Sequence, residues 1–428
     1  MEDGTGYRNW RLSEMKMLVF GGTGRIGSAV AWDLARAEDV EEVGIVGHSD
    51  EGLKRTADWI GSDKLNLHSV DVGGAPSGAT RRLMHGYDVG IFALPDRRTS
   101  YRALEIAIDS SLDAVDVLEE YHRRPDPYEI EGLKVPSGMT LEEYGESLHE
   151  KAEDNGVTFM DGMGFAPGLS NTSIARGIDL LDSAEVATAR VGGVPSKESA
   201  ARHPLRYMIT WSFAHALREY MIRARVRREG RIVEADPLSD RESFRFDAFG
   251  NDEAFECAVT PGMPSLLYTR PELVEFSEKT IRWPGHWEGI DLLKECGLLD
   301  LEPHQFEGKT VRPRDFFVSV VEPRLRPLPG DSDLCIIWNS VLGEKDGEPA
   351  RVDHHLWAGP DDEVGISAMA RVTGYSAAIA ARMIGRGEIR EKGIVAPEDG
   401  IRGDVYNRYI QELENRGIRV LETVRAGI

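Results

Sequence analysis

Leu18-Val19-Phe20-Gly21-Gly22-Thr23-Gly24-Arg25-Ile26-Gly27-Ser28-Ala29-Val30 decides the fold. It reads as a short buried strand, a glycine turn and the first turns of a helix. Gly22, Gly24 and Gly27 fit the spacing G-x-G-x-x-G. The first glycine permits the tight turn, the second lets a pyrophosphate approach the backbone, and the third lets the helix pack closely on the strand. Free N–H groups at that helix N-terminus then face the phosphates. Gly22, Thr23, Gly24, Arg25, Ile26 and Gly27 are therefore the expected dinucleotide cradle. The alternative is a glycine turn in an α/β protein that binds nothing.

A second strand, Val43-Gly44-Ile45-Val46, follows at the expected distance. An acid at its end would hold the ribose 2′-OH of NAD, but Gly47 stands there. His48 and Ser49 come next, with Lys54 and Arg55 one turn on. Ser49 is able to hydrogen-bond a 2′-phosphate and His48 to pair with one, which favours NADP over NAD. In the other reading Asp50 reaches the ribose and the basic residues are a solvated helix start. Asp71 ends a third strand near the adenine. Asp88 to Pro95 is a fourth buried strand, and Leu94 and Pro95 at its end are expected to face the nicotinamide.

Strands alternate with helical stretches from Lys16 to about Tyr121, the pattern of a parallel sheet. Arg123 to Met139 reads as an inserted loop, Leu141 to Asn155 as a helix and Val157 to Asp161 as a further strand. From about Ala184 the texture becomes that of a mixed sheet. Its strands are expected at Ala187–Gly192, Arg231–Ala235, Phe244–Phe246, Thr280–Arg282, Leu334–Leu342 and Val352–Trp357, with helices at Met208–Glu219 and Gly289–Glu295. Ser367 to Ile384 is a small-residue core helix that returns to the first domain. The fold class is thus α/β: a Rossmann-type doubly wound parallel sheet, an inserted mixed α/β domain, and a C-terminal return. The expected boundaries are a flexible extension over 1–14, a nucleotide domain over 15–182, a substrate and dimerisation domain over 183–364, and returning helices over 365–428.

A net charge of −22 over 428 residues argues against a nucleic-acid partner, whose phosphates call for a basic face. No apolar run reaches the length of a membrane span. Cys257, Cys296 and Cys335 form no C-x-x-C pair, which fits reduced cytoplasmic thiols and argues against a structural zinc. His354 and His355 are neighbours on a strand and point to opposite faces, so no metal site is expected there.

Several stretches resemble the saccharopine dehydrogenase-like family. They are Asp161 to Asn171, Gly192-Gly193-Val194-Pro195, Pro204-Leu205-Arg206-Tyr207 with Trp211-Ser212, and Thr280-Ile281-Arg282-Trp283-Pro284-Gly285-His286. Val311 to Asp315, Met369-Ala370-Arg371, Ile384 to Gly387 and Gly403 to Tyr406 are most similar to its lysine 6-dehydrogenase branch. The resemblance implies an NAD(P)-dependent oxidoreductase acting on the CH–NH group of a small amino-acid substrate, commonly as a homodimer. In that branch the side-chain amine of L-lysine is oxidised to an imine, and water releases the 6-semialdehyde. Ala166-Pro167-Gly168 departs from the Asp-Pro-Gly of saccharopine-forming members, which argues against saccharopine and carboxynorspermidine chemistry. Gly47 departs from the acid common in lysine 6-dehydrogenases, which puts NAD preference in question.

Such chemistry calls for a base near neutrality, and histidine is the usual choice. His286, in the family-like run, is the leading candidate; its other reading is a helix cap. Arg282 is placed to clamp a carboxylate in bidentate fashion, or else forms a strand-edge ion pair. Asp116 and Asp161 end strands facing the cofactor cleft and suit a substrate ammonium, with Asp161 alternatively a cap. Arg206, Tyr207 and Thr280 complete the expected pocket, Tyr207 being otherwise a core aromatic; Trp211 reads as packing. Two rival functions stand beside this one: reductive C–N coupling of the saccharopine or carboxynorspermidine type, which calls for a deep acidic pocket, and a non-catalytic NADP-binding redox sensor. Short-chain dehydrogenase chemistry needs Tyr-x-x-x-Lys, and no tyrosine here has a lysine four residues on.

Overall fold

The computed structural model describes residues 14–73, 77–94, 96–128 and 133–427. The expected extension before Glu14 and the candidate Pro95 lie outside them.

β1 (Met15–Phe20) leads through the glycine turn into α1 (Arg25–Arg36), β2 (Val40–Gly47), α2 (Asp50–Ile60) and β3 (Leu65–Ser69). α3 (Ser77–Met84), β4 (Val89–Phe92), α4 (Arg97–Asp109), β5 (Asp113–Asp116), α5 (Leu141–Asp154), β6 (Thr158–Met160) and α6 (Leu169–Asp179) follow. α5 starts where a capping box predicts: Thr140 accepts from the Glu143 N–H and the Glu143 carboxylate accepts from the Thr140 N–H. Six of these strands join Gly393–Val395 in one seven-stranded parallel sheet. Its order is Gly393–Val395, β6, β5, β4, β1, β2, β3. The strand order reverses at β1, between β4 and β2, so the crevice for a ligand lies beyond the ends of β1 and β4.

The second sheet has nine strands. Ser183–Pro195 runs parallel to Glu275–Arg282 and antiparallel to Asp333–Lys345, which makes the sheet mixed. Each strand read from the sequence lies within one observed there. The helix expected over Met208–Glu219 begins only at Phe213. Residues 208–212 instead run between the domains, where the Ile209 N–H donates to Leu325 O and its carbonyl accepts from Arg25.

The helix Ala368–Gly385 returns to the first domain and packs on α1. Gly393–Val395 then completes the first sheet beside β6. The last strand departs from the expected return: Val420–Ala426 pairs with Glu348–Ala358 at the edge of the second sheet. One apolar cluster runs through both domains, from Met17 and Val19 through Ala377 and Ala381 to Ile337 and Leu356.

A Cβ on Gly374 would lie 3.1 Å from Ala29 Cβ and 3.2 Å from Ile26 O. A β-branched side chain there must push the returning helix off α1. We expect Gly374→Val to destabilise the protein by about 1–3 kcal/mol, the usual cost of overpacking, read as a lower Tm by calorimetry.

Candidate active site

The glycine turn is shaped by backbone contacts that exclude side chains. Gly21 has φ +71, and a Cβ on it would meet Ala93 O at 2.2 Å. A Cβ on Gly27 would lie 2.3 Å from Gly21 O, and one on Gly22 would lie 2.4 Å from Ile45 Cγ2. Gly24 caps α1 with no side-chain hydrogen bond, so the N–H groups of the first turn are left for an anion. The cradle fits a pyrophosphate.

At the ends of β2 and β3 the expected ribose residues are gathered less tightly. A Cβ on Gly47 would sit 3.0 Å from Thr23 Cγ2, so an acid there would press on the glycine turn. His48 is exposed. The Ser49 hydroxyl caps α2 by accepting from the Gly52 N–H at 3.2 Å. Asp71 is exposed and accepts from the Gly73 N–H at 3.0 Å, closing its own turn.

A cavity of about 490 Å³ opens beyond the cradle, between the two domains. Gly24, Arg25, Ile26, Gly27 and Leu94 line its cofactor side, and Thr280 and Arg282 its opposite wall. Arg282 is 3% exposed. Its Nε donates to Tyr220 Oη at 2.9 Å and one terminal N–H to Ile281 O, which fixes the plane of the guanidinium. Thr280 shares a hydrogen bond of 2.6 Å with Thr260.

The structure does not bring the other five candidates from the second domain and the sheet ends to this cavity's lining. His286 opens the helix His286–Glu295 after Gly285, whose φ of +91 turns the chain. Its ring points into an aromatic cluster with Tyr207, Tyr220 and Trp287. Nδ1 faces Leu205 O at 2.9 Å. Burial and the Arg282 guanidinium push it down to about 3, so it is neutral throughout the working pH range and a poor proton acceptor. Tyr207 is buried in the same cluster and its phenol is pushed up by burial. Arg206 is exposed beside Trp283 in a separate surface groove.

Asp116 and Asp161 pair with a residue that the sequence reading did not single out. Asp161 Oδ1 lies 2.6 Å from His122 Nδ1, and its Oδ2 accepts from the His122 N–H at 2.8 Å. His122 Nε2 meets Ser100 Oγ at 3.1 Å, and Ser100 donates to Asp116. All four side chains are buried. Burial alone would lower the His122 pKa, but Asp161, Asp116 and Glu120 outweigh it and raise it to about 9. The imidazolium therefore ties together the ends of β5 and β6, below the cavity.

The acids that do reach the cavity are Glu119, Glu219, Glu278 and Glu322, joined by His215 and Trp211. Glu119 follows β5; His215 and Glu219 sit four apart on the helix Phe213–Glu219. His215 Nε2 is 3.0 Å from Glu219 Oε1 and 3.4 Å from Glu119 Oε2. Among the described residues these three alone bring ligating atoms within 4.8 Å of one another. Burial opposes ionisation of Glu119, but hydrogen bonds from His215 and Glu219 hold it below its usual value. Burial, then the Glu119 charge, drives Glu219 well above its own. The pair thus shares one proton, an arrangement suited to acid–base work. Glu278, Thr280 and Arg282 alternate along one strand and so share a face. That alternation is the signal by which Glu278 was open to discovery from the sequence, as the i,i+4 spacing was for His215 and Glu219.

Two measurements check this assignment. His122 is raised from 6.5 to about 9 by folding, so its stabilisation is full below pH 6.5 and lost as pH rises through about 9. We expect wild type to lose on the order of 3 kcal/mol over that window in urea melts, and His122→Gln to show a flatter alkaline profile. Ser49→Asp keeps a helix cap but sets a carboxylate against a 2′-phosphate. We expect it to weaken NADPH at least tenfold by fluorescence titration, an electrostatic cost of about 1.4 kcal/mol or more, with NADH held or improved.

Residues 164–418 match the saccharopine dehydrogenase C-terminal domain, and residues 17–160 match the saccharopine dehydrogenase NADP binding domain. Carboxyaminopropylagmatine dehydrogenase of Synechocystis sp. is 22% identical over 402 residues, 90% of this chain and 93% of that protein. Saccharopine dehydrogenase [NADP(+), L-glutamate-forming] of Pyricularia oryzae is 22% identical, over 65% of this chain and 76% of that one. Alpha-aminoadipic semialdehyde synthase of Arabidopsis thaliana is 29% identical over 170 residues; the match covers 37% of this chain and only 16% of that longer protein. The fold is that of the apo saccharopine dehydrogenase (L-Glu forming) from Saccharomyces cerevisiae, with a TM-score of 0.75 at 19% identity over 96% of this chain and 100% of that one. The nucleotide cradle and the cavity wall each fall in a matched domain, and the chain belongs to the saccharopine dehydrogenase family of NADP-binding oxidoreductases.

Proposed function

We propose that the chain is an NADP-dependent dehydrogenase acting on the C–N bond of an amino acid, with oxidation of the L-lysine side-chain amine to the 6-semialdehyde as its reaction. The observation that carries this reading is one cavity in which a dinucleotide cradle faces a fixed guanidinium, Arg282, and a carboxylate, Glu119. NADP, when bound, supplies the hydride acceptor. Arg282 holds the substrate carboxylate and Thr280 flanks it. Glu119 takes the proton from the substrate ammonium, so that the neutral amine loses a hydride and becomes an iminium. Water then adds to the iminium carbon, and loss of ammonia leaves the aldehyde. Glu219, which holds a proton, is placed to donate it to the leaving nitrogen and to recover one from the added water. His286, Tyr207 and Arg206 support this site from outside the cavity, and Asp116 and Asp161 through His122.

Reductive C–N coupling is the second reading, and one observation favours it. Ala166 lines the same cavity as Glu119, Glu219 and Glu278, so the carboxylate missing from the Ala166-Pro167-Gly168 motif is supplied by other elements. The pocket is acidic, as coupling of an amine to an aldehyde calls for. The free thiols of Cys257, Cys296 and Cys335 fit the cytoplasm as the compartment. Exposed Leu292, Phe306 and Phe316 offer an apolar face for a homodimer.

Absorbance at 340 nm, with NADP or NAD and a panel of L-lysine, ornithine, saccharopine and diaminopimelate, tests the reading. We expect NADPH formation with lysine, at least tenfold faster than with NAD, and a rise in lysine KM of at least tenfold in Arg282→Met. Silence on lysine with oxidation of saccharopine or a polyamine conjugate would transfer the assignment to coupling. Silence on every amine, with tight NADP binding, would transfer it to a sensor.

A further inference from the structure

The charges that line the cavity are unevenly placed. Arg282 is the fixed cation of the second-domain wall and Arg25 lies on the cofactor side, whereas Glu119, Glu219, Glu278 and Glu322 bring carboxyls from four separate parts of the chain. Glu278 and Arg282 are four residues apart on one strand, which separates their Cα atoms by about 13 Å at 3.3–3.4 Å per residue. A dicarboxylate ligand has one partner on that wall and meets like charge beyond it. A ligand with a carboxylate at one end and a cation at the other meets opposite charge at both.

Two buried polar atoms on residues that line the cavity are left without a well-formed hydrogen bond among the described residues. Glu219 is 4% exposed, and its Oε1 accepts no well-formed hydrogen bond among the described residues, its near neighbour being His215 Nε2 at 3.0 Å as an ion-pair contact. The Thr210 hydroxyl is also 4% exposed and has no partner there. Both side chains line the cavity. A buried acceptor without a donor costs about 1–3 kcal/mol, and an ammonium, with three N–H donors and no acceptor, is the group that supplies Glu219 with one. Trp211 adds an aromatic face beside His215, at 5.3 Å between ring centroids.

We propose that Glu119, Glu219 and Glu278 form a subsite for a cationic nitrogen, so that the substrate is an amino acid carrying an ammonium or substituted ammonium remote from its carboxylate, and dicarboxylate conjugates of the saccharopine type are rejected. The assignment rests on the proposed function only in placing the substrate in this cavity. Burial pushes Glu278 above the ordinary carboxylate range, so a cation is the partner that restores its charge, while the protonated Glu219 offers its carbonyl oxygen as an acceptor. Glu278 acts here by specificity: its carboxyl, held by Thr260, faces the position where a dicarboxylate would need a base.

Calorimetric titration of the full chain saturated with NADPH tests this, with 1,5-diaminopentane as the carboxylate-free probe and glutarate as its opposite. We expect one diaminopentane per chain and no glutarate binding. Glu219→Gln and Glu278→Gln should each weaken the diamine at least tenfold while NADPH affinity is unchanged, which shows that both variants are folded. Should either fail to fold, Glu119→Gln, on a less buried side chain, is the substitute with the same expectation. Glutarate binding in place of the diamine would overturn the proposal, as would diamine binding indifferent to all three substitutions. Zinc or manganese binding at one per chain, lost in the same variants and not displaced by diamine, would make the cluster a metal site and overturn it as well. Failure of lysine turnover leaves the binding result standing; failure of diamine binding alongside lysine turnover overturns the subsite alone.

Discussion

The backbone contact between Gly27 and Gly21 is the constraint on which the rest depends. With no Cβ at Gly27, whose place is 2.3 Å from Gly21 O, α1 descends onto the end of β1. That approach aims the N–H groups of the helix at the crevice. It also sets the height of α1, and Gly374 then lets the returning helix lie against Ala29 on its outer side. The two helices carry the interface with the second domain, since Arg25 reaches across to Ile209 O and Thr373 and Met369 line the cavity. A side chain at either glycine would therefore be felt at the cofactor and at the substrate wall together.

The site draws its charge from both domains, and its electrostatics follow from burial. Paired ions taken out of water must satisfy one another. Below the cavity this is done by His122 between Asp161 and Asp116. Deeper toward the second domain, Arg97 donates to Glu120 at 2.7 Å and to Glu119 O, so the backbone that carries Glu119 is held by a buried cation. The acid that faces the ligand is thus mounted on a network that is already paired.

The nucleotide half of the molecule was readable because its signals are local. A strand, three glycines at fixed spacing and a helix lie within thirteen residues, from Leu18 to Val30. The returning helix was likewise legible from its small apolar residues. The substrate half was readable in part: Arg282 and Thr280 line the cavity, while His286, in the same run, is turned away by the left-handed Gly285. Asp116 and Asp161 look like free strand-end acids in one dimension, and only folding brings His122 between them. Glu119 and Glu219 are one hundred residues apart, and neither has a local pattern that predicts the other. The short helix explains a further difference, since residues 208–212 have helical periodicity but the Ile209 backbone groups bond to Leu325 and Arg25 instead of within a helix.

The order of the last strands has a mechanical consequence. The chain passes between domains after α6, returns with the helix Ala368–Gly385, and passes over again to place Val420–Ala426 in the second sheet. Two bodies joined by a single linker swing freely, and their cleft opens by hinge rotation. Here three strands of covalent chain cross the same gap, and any rotation must bend all of them in concert. Opening of the cleft is then a collective event, and a change that stiffens one crossing is felt at the other two.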